Sequence, residues 1–136
     1  MSSVNIKWNG DEVKLLGKKA ISNSIYGIGL IVEGNAKSLA PIDTGRLASS
    51  ITTQSKSKGT KPSGKGAVSS DVITKPADDN QVFVGTPVQY APYMEFGTIR
   101  TNYAQPFLRP ALRMAQGETL TIVRRESKYY FKDYLK

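Results

Sequence analysis

The feature that most constrains the fold is a long periodic segment over residues 11–39, in which apolar side chains recur at mostly three- and four-residue steps. This spacing places them along one side of a helix and predicts a long amphipathic helix. Asp11 can cap its first turn, and Pro41 ends it because the residue before a proline is pushed out of the helical region. The predicted apolar stripe consists of Leu16, Ile21, Ile25, Ile28, Val32, Ala36 and Leu39.

Glycine interrupts this helix, and each glycine costs roughly 1 kcal/mol against alanine in a helix interior. Two interpretations remain open. Either the glycines permit the close approach of a neighbouring element or subunit, or burial of the helix simply tolerates them. The positions are Gly17, Gly27, Gly29 and Gly34.

Short elements are predicted on both sides of the helix. Residues 4–8 alternate loosely between apolar and polar side chains and predict a short strand. Residues 43–45 predict a turn, and residues 46–53 are compatible with a strand or with a short helix followed by a strand. Residues 55–66 contain no acidic side chain and predict a flexible basic loop. The cations of this loop are Lys56, Lys58, Lys61 and Lys65.

The middle of the chain predicts an antiparallel hairpin. β-Branched residues are frequent over 67–74 and over 81–85, which is typical of strands. Residues 76–80 are rich in proline, aspartate and asparagine and predict the turn between them.

The last third of the chain predicts helices. Residues 90–96 predict a single helical turn, and Gly97 suits the left-handed residue that ends it. A C-terminal helix opens at Pro110, with Gly117 placed to kink it. The last stretch is rich in aromatic residues and lysine and is compatible with a helix or a strand. The predicted fold class is therefore α+β: a long N-terminal helix packed on a small antiparallel β-sheet, with a C-terminal helix, in a single domain over residues 1–136.

Composition excludes the commonest catalytic and metal chemistry. The chain has no cysteine and no histidine, which removes disulfides, thiolate nucleophiles and the most frequent general base and metal ligand. A cation site would have to use Asp71, Asp78, Asp79 or Glu95, yet Asp78 and Asp79 stand in a turn, where acids are common for conformational reasons. We expect no catalytic, metal or cofactor site and a protein that is not an enzyme.

The charge balance points to a polyanionic partner. The formal net charge is +8, which favours non-specific attraction to polyanions such as nucleic acid. The lysines of the 55–66 loop suit phosphate contacts that carry no sequence information, so this loop is either the lining of a DNA channel or a solvated surface loop. The most apolar stretch, residues 21–32, is too short and too polar to span a bilayer. We expect a protein made in the cytoplasm without a membrane partner.

Glu95 is the acidic residue that most needs an explanation, because it stands between Met94 and Phe96 in an apolar, aromatic stretch. A carboxylate in such surroundings requires a partner, and we expect a structural or intersubunit ion pair. The candidate partners are Arg100, Arg109 and Arg113. The aromatic residues around it are expected in the core or at an interface.

Three segments punctuated by glycine and proline occupy residues 40–51, 84–98 and 105–112. They contain, in order, Ala-Pro-x-Asp-Thr-Gly-x-Leu-x-x-Ser-Ile, Tyr-Ala-x-Tyr-x-Glu-Phe-Gly-Thr and Pro-Phe-Leu-x-Pro-Ala. Together they resemble the small head–tail joining, or tail-completion, proteins in the neck of long-tailed bacteriophages, of the Hong Kong siphophage tail-component type. The minor tail protein Z of lambda-like phages looks related. The residues expected to have structural or interface roles are Pro41, Asp43, Thr44, Gly45, Tyr90, Tyr93, Glu95, Phe96, Gly97, Pro106, Phe107 and Arg109.

The resemblance implies a structural virion protein. Such a protein forms a ring, most simply of six subunits, that completes the tail end and joins it to the DNA-filled capsid, with DNA passing through the lumen. Its partners would be further copies of itself, neck proteins on the stopper or adaptor side, and tail terminator or tail tube proteins. The alternatives are a tail terminator that caps the tail tube, or a DNA-binding module without sequence specificity; a hydrolase is the least expected.

Overall fold

The computed structural model describes residues 10–42, 45–100 and 103–132. The strand predicted over residues 4–8 lies outside the described residues. The elements follow in the order α1 (Gly10–Leu39), α2 (Arg46–Ser50), β1 (Thr52–Gln54), β2 (Phe83–Gly85), α3 (Ala91–Phe96), α4 (Leu108–Gln116) and α5 (Thr119–Tyr130). The α+β class and the long N-terminal helix are confirmed.

α1 is the element against which the others pack: α4, α5, both strands and α2 all contact it. Asp11 and Glu12 lie in its first turn and Lys37 in its last, where their charges complement the helix dipole. The helix ends just before Pro41, as predicted.

The buried face of α1 is offset from the predicted stripe. Val32 and Ala36 are buried as expected, but Ile21 and Leu39 are exposed. Small and polar side chains are buried in their place, because α5 and the sheet pack closely against that side of the helix. These buried residues are Ala20, Ser24, Gly29 and Glu33.

The predicted hairpin between residues 67–74 and 81–85 is wrong. β2 lies in the second of these segments, but residues 67–74 form no strand, and the partner of β2 is β1. The side chains of Val68 and Val72 are exposed. β-Propensity expresses how well a side chain fits a half-buried sheet surface, and the 67–74 segment stays at the protein surface instead.

Residues 46–53 form a short helix followed by a strand, the second of the two alternatives that the sequence left open. The sheet is antiparallel, with Thr53 opposite Val84. On its other side β1 is joined by Thr60, whose N–H donates to the Thr53 carbonyl at 2.8 Å. All three residues of β1 are buried.

The C-terminal region forms two helices rather than one kinked helix. α4 begins at Leu108, two residues before the predicted start, and ends at Gln116. Gly117 then separates it from α5. α3 lies within the predicted 90–96 segment, and Gly97 ends it with a left-handed φ of 78°. The positive φ predicted at Gly97 is present, but its ψ of 179° is extended and differs from the left-handed helical value.

The core lies where the C-terminal half of α1 meets α2, α3 and α4. Phe107 and Ile51 are its largest fully buried apolar side chains. Through this cluster, parts of the three signature segments pack against one another. The cluster consists of Val32, Ala36, Ala40, Leu47, Ile51, Val88, Ala91, Phe107, Ala111 and Ala115.

Candidate assembly surface

Glu95 joins α3 to the beginning of α4. Its side chain is buried, with the residue only 4% exposed. Oε2 accepts the backbone N–H groups of Phe107 at 2.8 Å and Leu108 at 3.0 Å, and Oε1 accepts the N–H of Arg109 at 3.0 Å. Because the first amides of a helix have no partner within it, this one carboxylate caps α4 from a different element.

The same contacts set the charge state of Glu95. Burial raises the pKa of the carboxyl, but the hydrogen bonds from the amides of Leu108, Phe107 and Arg109 and from the Arg109 guanidinium outweigh burial and lower that pKa below its ordinary value. Glu95 is therefore a carboxylate held in its ionised form as a structural acceptor.

Arg109 is the ion-pair partner among the three arginines that the sequence offers. Its Nε lies 3.2 Å from Glu95 Oε1, and its Nη2 donates to the Glu95 carbonyl at 3.3 Å. The guanidinium carbon also lies 4.9 Å from the centre of the Phe96 ring, a cation–π contact. Both partners belong to one chain, so the pair is structural rather than intersubunit.

Gly97 and the following turn bring the motif residues together. The Gln105 N–H donates to the Met94 carbonyl at 2.8 Å, which closes the loop between α3 and α4. A side chain at Gly97 would stand 3.4 Å from the Ala104 nitrogen, besides requiring a left-handed backbone. Pro106 is exposed at the end of this loop.

The aromatic residues of the motif divide into core and surface. Phe107 is fully buried, whereas Tyr93 and Phe96 are 60% and 68% exposed. The latter two are three residues apart on α3 and therefore lie on one side of it. With the exposed Tyr90 they form what we name the aromatic face of α3. Large exposed apolar groups rimmed by polar ones are typical of protein–protein contacts.

The basic loop contacts α1 through Lys58. Lys58 donates to the Asn23 side chain at 2.9 Å, and its Nζ lies 4.4 Å from the centre of the Tyr26 ring. The side chains of Lys56, Lys61 and Lys65 are exposed. The flexibility of the loop and its contact with DNA stay predictions.

The first signature segment meets the end of this loop. Gly45 has a φ of 86°, and a Cβ there would lie 2.6 Å from the Lys65 carbonyl oxygen, so glycine is required on both counts. Pro41 is partly buried. Asp43 and Thr44 lie outside the described residues.

The comparison with known families settles what kind of chain this is. Residues 11–97 match the family described as "Bacteriophage HK97-gp10, putative tail-component". The chain belongs to this family. The search of curated proteins and the search of solved structures found no match to this chain.

Membership in the HK97-gp10-like family makes the protein a phage tail component, a structural class of protein. The matched residues include Gly45 and Glu95, whereas the amides and the guanidinium that hold Glu95 lie beyond residue 97. The tertiary contact thus ties the matched region to the chain that follows it.

Sequence reasoning missed Glu33, which has a similar role in α1. Its Oε2 accepts the hydroxyls of Thr53 at 2.6 Å and Thr60 at 2.8 Å, and its Oε1 lies 2.9 Å from Lys37 Nζ. This carboxylate links α1 to β1 and to the basic loop. The only signal was an acidic residue directly after Val32 on the buried stripe.

Among the described residues, the acidic side chains considered as metal ligands either pair with other groups or do not form a cluster of three. Asp71 accepts a bidentate pair of hydrogen bonds from the Arg46 guanidinium, each at 3.1 Å. Glu95 accepts hydrogen bonds from the first amides of α4. Within the described ranges, no group of three or more His, Cys, Asp and Glu residues is placed to hold a metal ion. None of the helices described here is long and apolar enough to cross a membrane.

Proposed function

We propose that the protein is a structural subunit of the phage neck that forms a ring of six copies, completes the tail end and joins it to the DNA-filled capsid. Its partners are further copies, the stopper or adaptor proteins, and terminator or tube proteins. It acts in the virion after assembly in the host cytoplasm, and it requires no cofactor.

The observation that carries this proposal is the aromatic face of α3, inside the region that matches a tail component. Tyr93 and Phe96 expose most of their rings although Phe107, only a loop away, is fully buried. Glu95 and Arg109 hold the backbone below this face, so the exposed rings stand on a fixed support. A rigid aromatic group of this kind suits an interface anchor.

The basic loop supplies the second part of the proposal, a positive lining for the DNA path. Residues 55–66 contain no acidic side chain that would compete with phosphate for Lys56, Lys61 and Lys65. Lys58 fastens the loop to α1 through Asn23. Lysine contacts with phosphate oxygens read no sequence, which suits a channel that every part of a genome must pass.

The test is the mass of the purified protein, alone and with tail tubes, by light scattering together with negative-stain microscopy. We expect a ring, or a cap at one tube end. The variant Tyr93→Ser should form neither the ring nor the cap. Tyr129→Ser is the matched control, because Tyr129 is similarly exposed at 65% but lies on α5. Circular dichroism of both variants checks that the fold is kept.

Two outcomes would replace the proposal. A cap that stops tube growth without recruiting capsids would make the protein a tail terminator. A monomer that ignores tubes but binds duplex DNA with a steep dependence on salt would make it a DNA-binding module.

A further inference from the structure

The outer edge of β2 is open. The N–H and the carbonyl of Thr53 both point away from β2. The N–H donates to the Thr60 hydroxyl at 2.9 Å, and the carbonyl accepts the Thr60 N–H at 2.8 Å. In an antiparallel ladder, Thr53 and the opposite Val84 therefore form a pair without mutual hydrogen bonds. The N–H and carbonyl of Val84 consequently point away from β1, and no other part of the described chain pairs with that edge.

An apolar groove runs along this open edge. It encloses about 350 Å³ between α1, β2 and α4. Its lining includes Ile25, Ile28, Val82, Val84, Leu108 and Leu112. An unpaired strand edge beside an apolar groove is the arrangement that accepts an added strand, since the edge supplies backbone hydrogen bonds and the groove takes alternate side chains.

The chain itself contains a segment of the required pattern. Residues 4–8 read Val-Asn-Ile-Lys-Trp, so Val4, Ile6 and Trp8 alternate with Asn5 and Lys7. In an extended strand the three apolar side chains point to one side and the two polar ones to the other. Such a strand presents one apolar side to a groove and one polar side to solvent.

The segment cannot pair along β2 of its own chain. α1 crosses the sheet at Gly29, where a Cβ would lie 2.5 Å from Val82 Cγ1. Gly10, the first residue of α1, is nineteen residues earlier in the same helix and therefore about 28 Å away. Ile6 stands four residues before Gly10, and an extended chain covers at most about 14 Å in that interval. The strand must come from another copy.

We propose that residues 4–8 of one copy add as a strand to the β2 edge of the next, with Val4, Ile6 and Trp8 in its groove. This contact joins two different surfaces, so its repetition generates a closed ring if the rotation closes. The inference rests on the proposed ring and states how neighbouring subunits are held together.

Trp8 makes the proposal directly measurable, because it is the only tryptophan of the chain. The experiment follows its emission and the oligomeric mass of the full chain across a wide concentration range. We expect the emission to shift to the blue as oligomers form. Ile6→Ser should weaken self-association about ten- to a hundredfold, as expected for losing a buried isoleucine. Lys7→Ser, the matched control on the polar side, should leave it unchanged.

A second variant tests the acceptor edge. Val84→Pro removes the outward N–H of β2 while leaving the hydrogen bonds to β1, because Val84 belongs to the pair without mutual bonds. It should abolish the blue shift, and Val84→Ala, which keeps the N–H, should retain most of it. Thermal melting of both variants monitors the fold.

The outcomes separate this inference from the ring itself. Rings that form equally well in Ile6→Ser, in solution or on tail tubes, would overturn strand addition and leave the ring in place. A blue-shifted Trp8 in a monomer at every dilution would also overturn it. Failure of the unmodified protein to form any ring, even on tubes, would remove the proposed function and strand addition together. Loss of tube binding in Val84→Pro alone would assign the edge to another tail protein.

Discussion

At the scale of single residues, a few buried polar groups hold distant parts of the chain together. Glu95 accepts three backbone amides and one guanidinium, and Glu33 accepts two hydroxyls and pairs with Lys37. A buried acceptor of this kind costs free energy unless every contact is made. The contacts are therefore specific, and single substitutions should reveal them.

Glu95→Gln should lower the free energy of unfolding by about 2–3 kcal/mol at neutral pH, because an amide nitrogen then faces backbone donors that a carboxylate had accepted. The pKa of Glu95 is lowered in the folded state. Its stabilisation is thus complete above the unfolded value of about 4.3 and is lost as the pH falls through the lower folded value. The difference between the two proteins should shrink between pH 7 and pH 3 in urea titrations.

The control for this prediction is Glu126→Gln. Glu126 pairs with Arg125 at 3.5 Å on the surface, and exposed pairs contribute about 0–1 kcal/mol. An equal loss in both variants, or a constant effect of Glu95→Gln across that pH range, would contradict the role of Glu95 as a buried acceptor.

Neighbouring threonines of β1 should respond in opposite directions to the same change. Thr52 Oγ1 is buried and has no hydrogen-bond partner among the described residues, whereas the Thr53 hydroxyl contacts Glu33 at 2.6 Å and the Gly29 carbonyl at 3.1 Å. Thr52→Val should raise the free energy of unfolding by about 1 kcal/mol, and Thr53→Val should lower it by about 1–3 kcal/mol. Two losses of similar size in chemical denaturation would refute this distinction.

At the scale of elements, the crossing of α1 over the sheet decides how the fold is assembled. The two interpretations of the α1 glycines apply to different positions. At Gly29 a Cβ would stand 2.5 Å from Val82 Cγ1 and 2.8 Å from Thr53 Cγ2, so close approach requires glycine. At Gly34 nothing lies within 4 Å of an added Cβ. Only the first glycine sets the distance between helix and sheet.

Alanine substitution at these two glycines should therefore have opposite signs. Gly29→Ala should cost about 1–3 kcal/mol through overpacking, although alanine favours the helix. Gly34→Ala, its matched control in the same helix, should gain up to about 1 kcal/mol. Thermal unfolding monitored by circular dichroism measures both, and a gain at position 29 would mean that the sheet can move away from α1.

At the scale of the whole molecule, net charge and exposed aromatic surface act over different distances. The basic loop lies against α1 through Lys58, and the aromatic face lies on α3. The formal net charge of +8 acts at long range on any polyanion, whichever surface faces it. A channel role requires more than this general attraction, namely that particular lysines meet phosphate.

Replacing Lys56, Lys61 and Lys65 with glutamine should make the affinity of the assembled protein for duplex DNA less dependent on salt. Each lost phosphate contact lowers the slope of log affinity against log salt by about 0.9. The matched control replaces three other exposed lysines by glutamine and removes the same charge. These control positions are Lys14, Lys19 and Lys128. Equal slopes in both triple variants would mean that the loop lysines act only through their contribution to the net charge.

The sequence by itself determined the elements whose signals are local. The period of residues 11–39, Pro41 after it and Gly97 after α3 each specify a backbone conformation within a few neighbours. The absence of cysteine and histidine likewise excluded whole classes of chemistry without reference to a fold. The need of Glu95 for a partner was also readable, because a carboxylate among aromatic residues requires one.

Only the tertiary structure decided which distant groups meet. The partner of β2 is β1 and not residues 67–74, since strand pairing depends on which segment is buried against α1 at Gly29. Glu95 receives the amides of α4 as well as Arg109, and a backbone donor leaves no mark in the sequence. Burial and backbone hydrogen bonds arise between residues far apart in the chain, so local patterns cannot specify them.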